Sequence, residues 1–292
     1  MPTAPAPDTL STDSLAAVRH IELTARRLVG DLFAGRYHSV FKGRGLEFSE
    51  VRAYEPGDDA RDIDWNVTAR RGHPYIKRYV EERELTVLFL VDTSASQLFG
   101  SRLRTKARLA AELAAVLAMA ALQNGDKAGL MLFTDRVERH IPPRKSRAHL
   151  LRLVREVLTF KPLGRGTDIG AALEELGRVQ RKRAVVFLIS DFLDDDFDRP
   201  LRVAARRHDL TAVGIRDPWE ESFSPNARIL LEDAESDATA AWAGGPASPG
   251  RWDALSRRFG AAGVDTLLLD TDKPIAGPLL SFFQTRRKRY AR

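Results

Sequence analysis

Three short stretches of this chain place hard oxygen atoms at spacings suited to holding a cation. The first is DTSAS, in which Asp92, Ser94 and Ser96 fall at alternate positions. The second is Gly164-Arg165-Gly166-Thr167-Asp168, and the third is Ser190-Asp191 at the end of the run AVVFLI. Mg²⁺ or Mn²⁺ takes oxygen ligands, and Mg²⁺ in particular demands near-octahedral geometry and keeps several waters. The hydroxyls of Ser94, Ser96 and Thr167 with the carboxylates of Asp92 and Asp191 meet that demand. So few protein anions leave the ion electrophilic, with a position open for a carboxylate from another molecule. The competing reading makes Thr167 and Asp191 helix N-caps, a common use of such residues. Asp168 and the run Asp194 to Asp196 lie nearer to the capping reading.

The elements around these residues must bring the three stretches together. Thr86 to Val91 is apolar without alternation, which predicts a strand buried on both faces, with Asp92 at its carboxyl end. In an open α/β sheet that end is where ligands bind. Ala184 to Ile189 repeats the pattern and ends in Ser190-Asp191. Further strands are predicted at 127–133, 136–141, 210–215 and 264–269. Helices are predicted at 102–123, 147–158, 168–180, 197–207, 251–262 and 275–287. Pro142-Pro143 is expected to end the 136–141 strand. A hairpin is expected near 228–243. Strand and helix alternate, so the fold class is α/β: a mostly parallel sheet with helices on both faces.

Upstream, residues 1–12 are rich in Pro, Ala and Thr and are expected to be disordered. Residues 13–84 are read as an N-terminal module of a helix to about Gly35 and strands near 47–54 and 75–80, docked on the domain formed by 85–292. Within it, Asp58, Asp59, Asp62 and Asp64 crowd around Arg52, Arg61 and Arg70, and Trp65 is expected to anchor the packing.

Composition narrows the function. Among 292 residues there is no cysteine, which excludes disulfides, thiolate metal sites and cysteine nucleophiles. The six histidines form no HExxH pattern. The longest apolar tract, 107–122, is interrupted by Arg108 and Glu112 and is too short to span a bilayer. The N-terminus has no secretory pattern, so a cytoplasmic protein without membrane insertion is expected. Neither a GxSxG nucleophile elbow nor a GxxxxGK phosphate loop occurs.

The order DxSxS at 92–96, Thr167, then Asp191 resembles the metal-ion-dependent adhesion site of von Willebrand factor A domains. That implies a Rossmann-like sheet and Mg²⁺ held by Asp92, Ser94, Ser96, Thr167 and Asp191. A narrower resemblance covers roughly residues 30–290. GRGLEFSEVRAYEPGDDARDIDWNVTAR (43–70), the strand ending DTSAS and RHDLTAVGIRDPWE (207–220) are similar to the bacterial domain of unknown function 58 family, as is the hairpin with Leu231, Asp233 and Glu235. Gln97 and Ser236 depart from the usual pattern, outside the ligand set. The resemblance implies a non-enzymatic adaptor or chaperone-like partner of a MoxR-type AAA+ ATPase. That ATPase or a client protein would supply the completing Glu or Asp.

Two other functions compete. A metal-dependent hydrolase would use Asp58, Asp62 or Asp64 as general base. The opposing reading is that these acids pair with arginines and cap a short helix. A nucleic-acid binder would use the basic run Arg286 to Arg292, although the net charge of +6 is mild and no aromatic platform accompanies the run. That run is otherwise expected to be a solvated helix end.

Overall fold

The computed structural model describes residues 12–33, 47–80, 84–100, 103–221, 223–232, 239–245 and 250–290. The expected disorder over 1–12 and the motif residues 43–46, Asp233, Glu235 and Ser236 therefore lie almost wholly outside the described residues. The chain divides into two units, residues 41–84 and the remainder.

The larger unit is organised by a six-stranded sheet. In chain order its strands are β3 (Thr86–Asp92), β4 (Lys127–Phe133), β5 (Val137–Arg144), β6 (Val185–Ser190), β7 (Asp209–Arg216) and β10 (Asp265–Asp270). Their spatial order is β10-β7-β6-β3-β4-β5. All neighbours are parallel except β4 and β5. This is the doubly wound order in which the chain runs outward from a central strand, then returns to continue on that strand's other side. It is also the von Willebrand A-like arrangement expected above. β3 is the central strand, and the reversal point lies between β3 and β6.

The burial of β3 and β6 explains their unbroken apolar sequences. Leu88 and Leu90 face one layer with Val186 and Leu188, against α5 (Ile169–Val179), α6 (Asp198–Arg207) and α8 (Arg251–Ala261). Phe89 and Phe187 stack with ring centres 5.8 Å apart on the alternate positions. The helix α3 (Lys106–Gln123) covers that second face and is itself covered by α1 (Thr12–Phe33) and α4 (Arg147–Thr159). Being sandwiched, α3 is apolar nearly all round, and its many alanines allow close approach on both sides. The C-terminal helix α9 (Ala276–Tyr290) lies on the same side as α1.

Several expectations are corrected. α1 buries Ile21, Ala25 and Val29 at a spacing of four, packs on α3 and α4, and joins Glu22 to Arg147 at 2.7 Å. It therefore belongs with the sheet rather than with the 41–84 unit. β5 continues through Pro142 and Pro143 to Arg144. These prolines sit on an edge strand, where the pairing register shifts, so their missing N–H groups break no central ladder. The hairpin strands, β8 (Phe223–Glu232) and β9 (Thr239–Gly245), form a separate antiparallel pair longer than the 228–243 expected.

The basic C-terminal run is only partly a solvated end. Arg286 is buried and binds Asp209, Thr211 at 3.1 Å and Asp265 at 3.1 Å, tying α9 to the starts of β7 and β10. Arg289 also pairs with Asp265. Removing one member of a buried ion pair leaves charges uncompensated and costs ~3 kcal/mol or more. Arg286→Leu is therefore expected to lower the denaturation free energy by about that amount, while Lys288→Ala changes it by under ~0.5 kcal/mol. Urea unfolding of the two variants checks this difference.

A pH response is also built into the frame. His208 is buried after α6, and burial, together with Arg207 and Arg183, pushes its imidazole from 6.5 down to about 4. Below 6.5 the unfolded chain binds a proton that the folded chain refuses until about 4. Stability through this group therefore falls as pH drops across that window. His208→Leu is expected to flatten the fall in melting temperature between pH 6.5 and 4.5, read by scanning calorimetry.

The smaller unit pairs β1 (Glu47–Ala53) with β2 (Tyr75–Val80), antiparallel, with α2 (Trp65–Arg71) between them. Asp64 caps α2 by accepting from the N–H groups of Asn66 and Val67. Trp65 is 69% exposed and anchors no core within this unit.

Candidate metal site at the carboxyl edge of the sheet

Asp92 closes β3 and Asp191 follows β6, so the two acids flank the crevice at the reversal point. Both are almost wholly buried. Asp92 Oδ1 accepts from the Ser94 N–H at 2.9 Å, and its Oδ2 accepts from the Ser190 hydroxyl at 2.6 Å. Ser94 and Ser96 hydroxyls lie 3.1 Å apart. Ser94 precedes a short 3₁₀ turn, Ala95–Leu98, without capping it by its side chain.

The loop bearing Thr167 is joined to this cluster through backbone. The Ala95 N–H donates to the Arg165 carbonyl at 3.0 Å. The loop is also clamped to the start of β5 and to the turn before it. Glu138 Oε1 accepts from the N–H groups of Leu163 and Gly164 at 3.0 and 2.7 Å, and Asp168 N–H donates to the Thr134 carbonyl. Gly164 is required by this approach, because a Cβ there would collide with the Thr134 hydroxyl and the Asp135 carboxylate.

The capping alternative fails for both candidate ligands. Asp168, not Thr167, caps α5 by accepting from Ala171 N–H at 2.7 Å, and Asp194 accepts from Ile169 N–H. The residue at the cap of α6 is Phe197, which uses no side-chain bond. Asp191 instead turns sharply into the site. Its neighbour Phe192 adopts φ 55°, a left-handed conformation that costs a non-glycine residue ~1–3 kcal/mol. Phe192 is held there by Phe259, 4.9 Å away edge to face, and by Phe197.

One participant escaped sequence reasoning. The Lys106 side chain is fully buried, with its ammonium 2.8 Å from Asp191 Oδ2 and paired also to Glu220. Lys106 begins α3, where the helix dipole disfavours a cation. Burial pushes its ammonium down, but Asp191 and Glu220 outweigh this and hold it above its ordinary value. The only hint in the sequence was a lysine opening an otherwise apolar helix.

The electrostatics leave the cluster short of positive charge. Burial, and then the neighbouring charge of Asp191, push Asp92 up to about 7, against the hydrogen bonds from Ser190 and Ser94. Asp191 Oδ1 is buried with no hydrogen-bond partner. A buried carboxylate oxygen without a donor is costly, and a cation is the natural remedy. The donor set of two carboxylates with hydroxyls therefore fits Mg²⁺ or Mn²⁺. Among the described residues no three acids, histidines or cysteines gather into a cage, so a carboxylate-rich alternative is absent.

Three of the four acids at 58–64 are engaged otherwise. Asp58 binds Arg52 at 2.7 Å, Asp59 accepts from Arg61, and Asp64 caps α2. The Glu55 N–H and then the Arg52 guanidinium hold Asp58 below the usual carboxylate range. These are features of a carboxylate kept ionised by its partners, not of one tuned upward as a general base.

Comparison with known proteins identifies the family of the chain. A family model described as "Protein of unknown function DUF58" matches residues 50–243. An uncharacterized protein of Mycobacterium tuberculosis is 32% identical over 285 residues, 94% of this chain and 90% of that protein. An uncharacterized protein of Mycobacterium avium is 28% identical over 160 residues, 51% of this chain and 94% of its own length. Among solved structures, BatB from Bacteroides thetaiotaomicron overlaps at a TM-score of 0.47 and 14% identity, over 70% of this chain and 99% of its own. The SpRpn10 VWA domain overlaps at 0.41 and 13%, over 68% of this chain and 94% of that one. No helix among the described residues is long and apolar enough to cross a membrane.

Lys106→Met tests the charge balance. It leaves two buried carboxylates facing one another and is expected to cost ~3–5 kcal/mol without divalent metal. Saturating Mg²⁺ should then raise the melting temperature of the variant more than that of the wild type. Equal metal-induced shifts would contradict the balance described.

Proposed function

The chain belongs to the DUF58 family of proteins of unknown function, and from the site at its sheet edge we propose that it is a metal-dependent protein-interaction module. The observation that carries this reading is the unpartnered, buried Asp191 Oδ1 beside Asp92. Mg²⁺ or Mn²⁺ would be held by Ser94, Ser96 and Thr167, with Asp92 and Asp191 bound directly or through water. When bound, the ion would supply an electrophilic position for one further oxygen ligand. A Glu or Asp of a partner protein is the ligand that best suits it.

This chain's residues prepare that position. Ser190 and Ser94 N–H fix the Asp92 carboxylate, Lys106 fixes one oxygen of Asp191, and Arg251 grips the Asp191 carbonyl at 2.6 Å. With Lys106 already neutralising one carboxylate, the protein alone offers the ion little excess negative charge. A partner carboxylate would then add a large share of the binding energy. The resemblance of 43–70 and 207–220 to the domain of unknown function 58 family favours a MoxR-type AAA+ ATPase, or its client, as supplier of that acid. A non-catalytic adaptor role in the cytoplasm accords with the same resemblance.

Titrating Mg²⁺ and Mn²⁺ by calorimetry into the wild type and into Ser94→Ala/Ser96→Ala tests the reading. Binding in the wild type and at least a tenfold loss in the double variant is expected, about 1.4 kcal/mol or more. Unchanged affinity would show that the serines are not ligands. Metal-dependent turnover of phosphate or carboxylic esters, lost in Asp58→Asn or Asp62→Asn, would instead establish the hydrolase.

A further inference from the structure

The loops around the candidate ion expose apolar side chains that a solitary polar site does not require. Leu98, Phe99 and Leu103 project from the segment joining β3 to α3, and Leu98 and Leu103 are 71% and 72% exposed. Leu163, 88% exposed, lies in the loop that carries Thr167. Leu193 stands two residues beyond Asp191, and Trp219 stands beside Glu220, the second partner of Lys106. Among the described residues elsewhere on this unit, the large exposed apolar side chains are isolated residues on helices, Leu23, Val179 and Val203. Scattered single residues need no explanation, whereas a set gathered around one polar centre marks an interaction surface.

The backbone at Leu163, at Trp219 and in the turn bearing Leu98 is held by hydrogen bonds. Leu163 N–H is held by Glu138, Trp219 N–H by Asp217 Oδ1, and the Ser94–Leu98 turn by Arg165. The three supporting strands β7, β6 and β3 are consecutive in the sheet, so their loops are spread over about 10 Å at a spacing of ~4.8 Å per strand. An extended polypeptide advances ~3.3 Å per residue and would cross that distance in about three residues. The apolar groups come from four separate loops, three of which follow the carboxyl ends of β3, β6 and β7. That distribution suits individual side chains on either side of a central carboxylate, and it is poorly matched to an acyl chain or a flat lipid surface.

We infer that the partner's docking element is an extended polypeptide segment whose Asp or Glu is flanked on both sides by large apolar residues. The carboxylate reaches the ion, and the flanking side chains pack on Leu98, Phe99 and Leu103 on one side and on Leu193 and Trp219 on the other, with Leu163 alongside. This rests on the metal-dependent reading of the site and adds to it the sequence character of the partner.

The test selects a phage-displayed random dodecapeptide library on the full chain in Mg²⁺, with elution by EDTA. Enriched peptides are expected to carry an Asp or Glu with large apolar residues within four positions on both sides. Synthetic copies, followed by fluorescence anisotropy, should lose at least tenfold in affinity on Asp→Asn or Glu→Gln in the peptide. They should lose as much on Leu98→Ser/Leu193→Ser in the protein, or separately on Leu163→Ser/Trp219→Ser. Mg²⁺ affinity by calorimetry should stay within twofold in these surface variants, which also shows that they fold.

Acidic peptides without apolar flanks, or binding unaffected by the surface variants, would overturn the inference and leave the metal site standing. Apolar peptides that bind equally in EDTA would overturn both. Failure to enrich any peptide overturns the inference. So does concentration-dependent self-association lost in the same variants, which would assign the surface to a second copy of this chain.

Discussion

Two carboxylates, Asp92 and Asp191, are buried together at the point where the sheet reverses direction, and the buried Lys106 ammonium is bound to the second of them. Much of the surrounding architecture can be understood as what makes that arrangement tolerable. β3 and β6 must be adjacent and parallel for their ends to meet, which the doubly wound order ensures. α3 must begin at the site for Lys106 to reach Asp191, although the start of a helix is an unfavourable place for a cation. Phe192 must occupy a left-handed conformation for the chain to turn beyond Asp191, and two aromatic rings, Phe197 and Phe259, hold it there. Hydrogen bonds from Ser190 and Ser94 serve one acid, and one oxygen of the other is left open. Such an incomplete network is expensive in an otherwise well-satisfied interior. Local departures of this sort concentrate at functional sites.

The balance of charge bears on how the site would work. A cage of three or four carboxylates would bind a divalent ion tightly and saturate it. Here Asp92 and Asp191 are the two candidate anionic ligands, the Lys106 ammonium already pairs with Asp191 and Glu220, and the remaining candidates are neutral hydroxyls. An ion so held would remain demanding of another anion, which would suit recognition of a partner's acid. The exposed leucines and Trp219 around the crevice would supply apolar contact where the ion supplies direction. Affinity and specificity would then come from different chemistry within one small surface.

Much of this was legible in the residues. The unbroken apolar runs of β3 and β6 could only be strands covered on both faces, and each ended in an acid. Alternation of strands and helices then fixed a mostly parallel sheet. The capping reading held for Asp168, which accepts from the N–H three residues onward, whereas Asp194 serves the same helix start from 25 residues away, which no local spacing reveals. Other features depended on tertiary contact and left little trace. Lys106 is paired across 85 residues to Asp191, and nothing local marks a lysine as buried. Arg286 looked like one basic residue among several, and only the starts of β7 and β10 make it an interior ion pair. Pro142 and Pro143 resembled a strand terminator until β5 proved to be the sheet edge. Trp65 looked like an anchor from its size, whereas burial depends on what surrounds a side chain.

The most direct measurement of the central claim is a crystal structure of the chain soaked in Mn²⁺, with anomalous differences used to locate the metal. The account predicts one strong peak in the crevice between β3 and β6, coordinated by the hydroxyls of Ser94 and Ser96 at ~2.2 Å. It also predicts that Thr167, Asp92 and Asp191 complete the shell directly or through water, with Lys106 still bound to Asp191. A peak on other residues, or an empty crevice in which Ser94 and Ser96 bond only to each other, would contradict it.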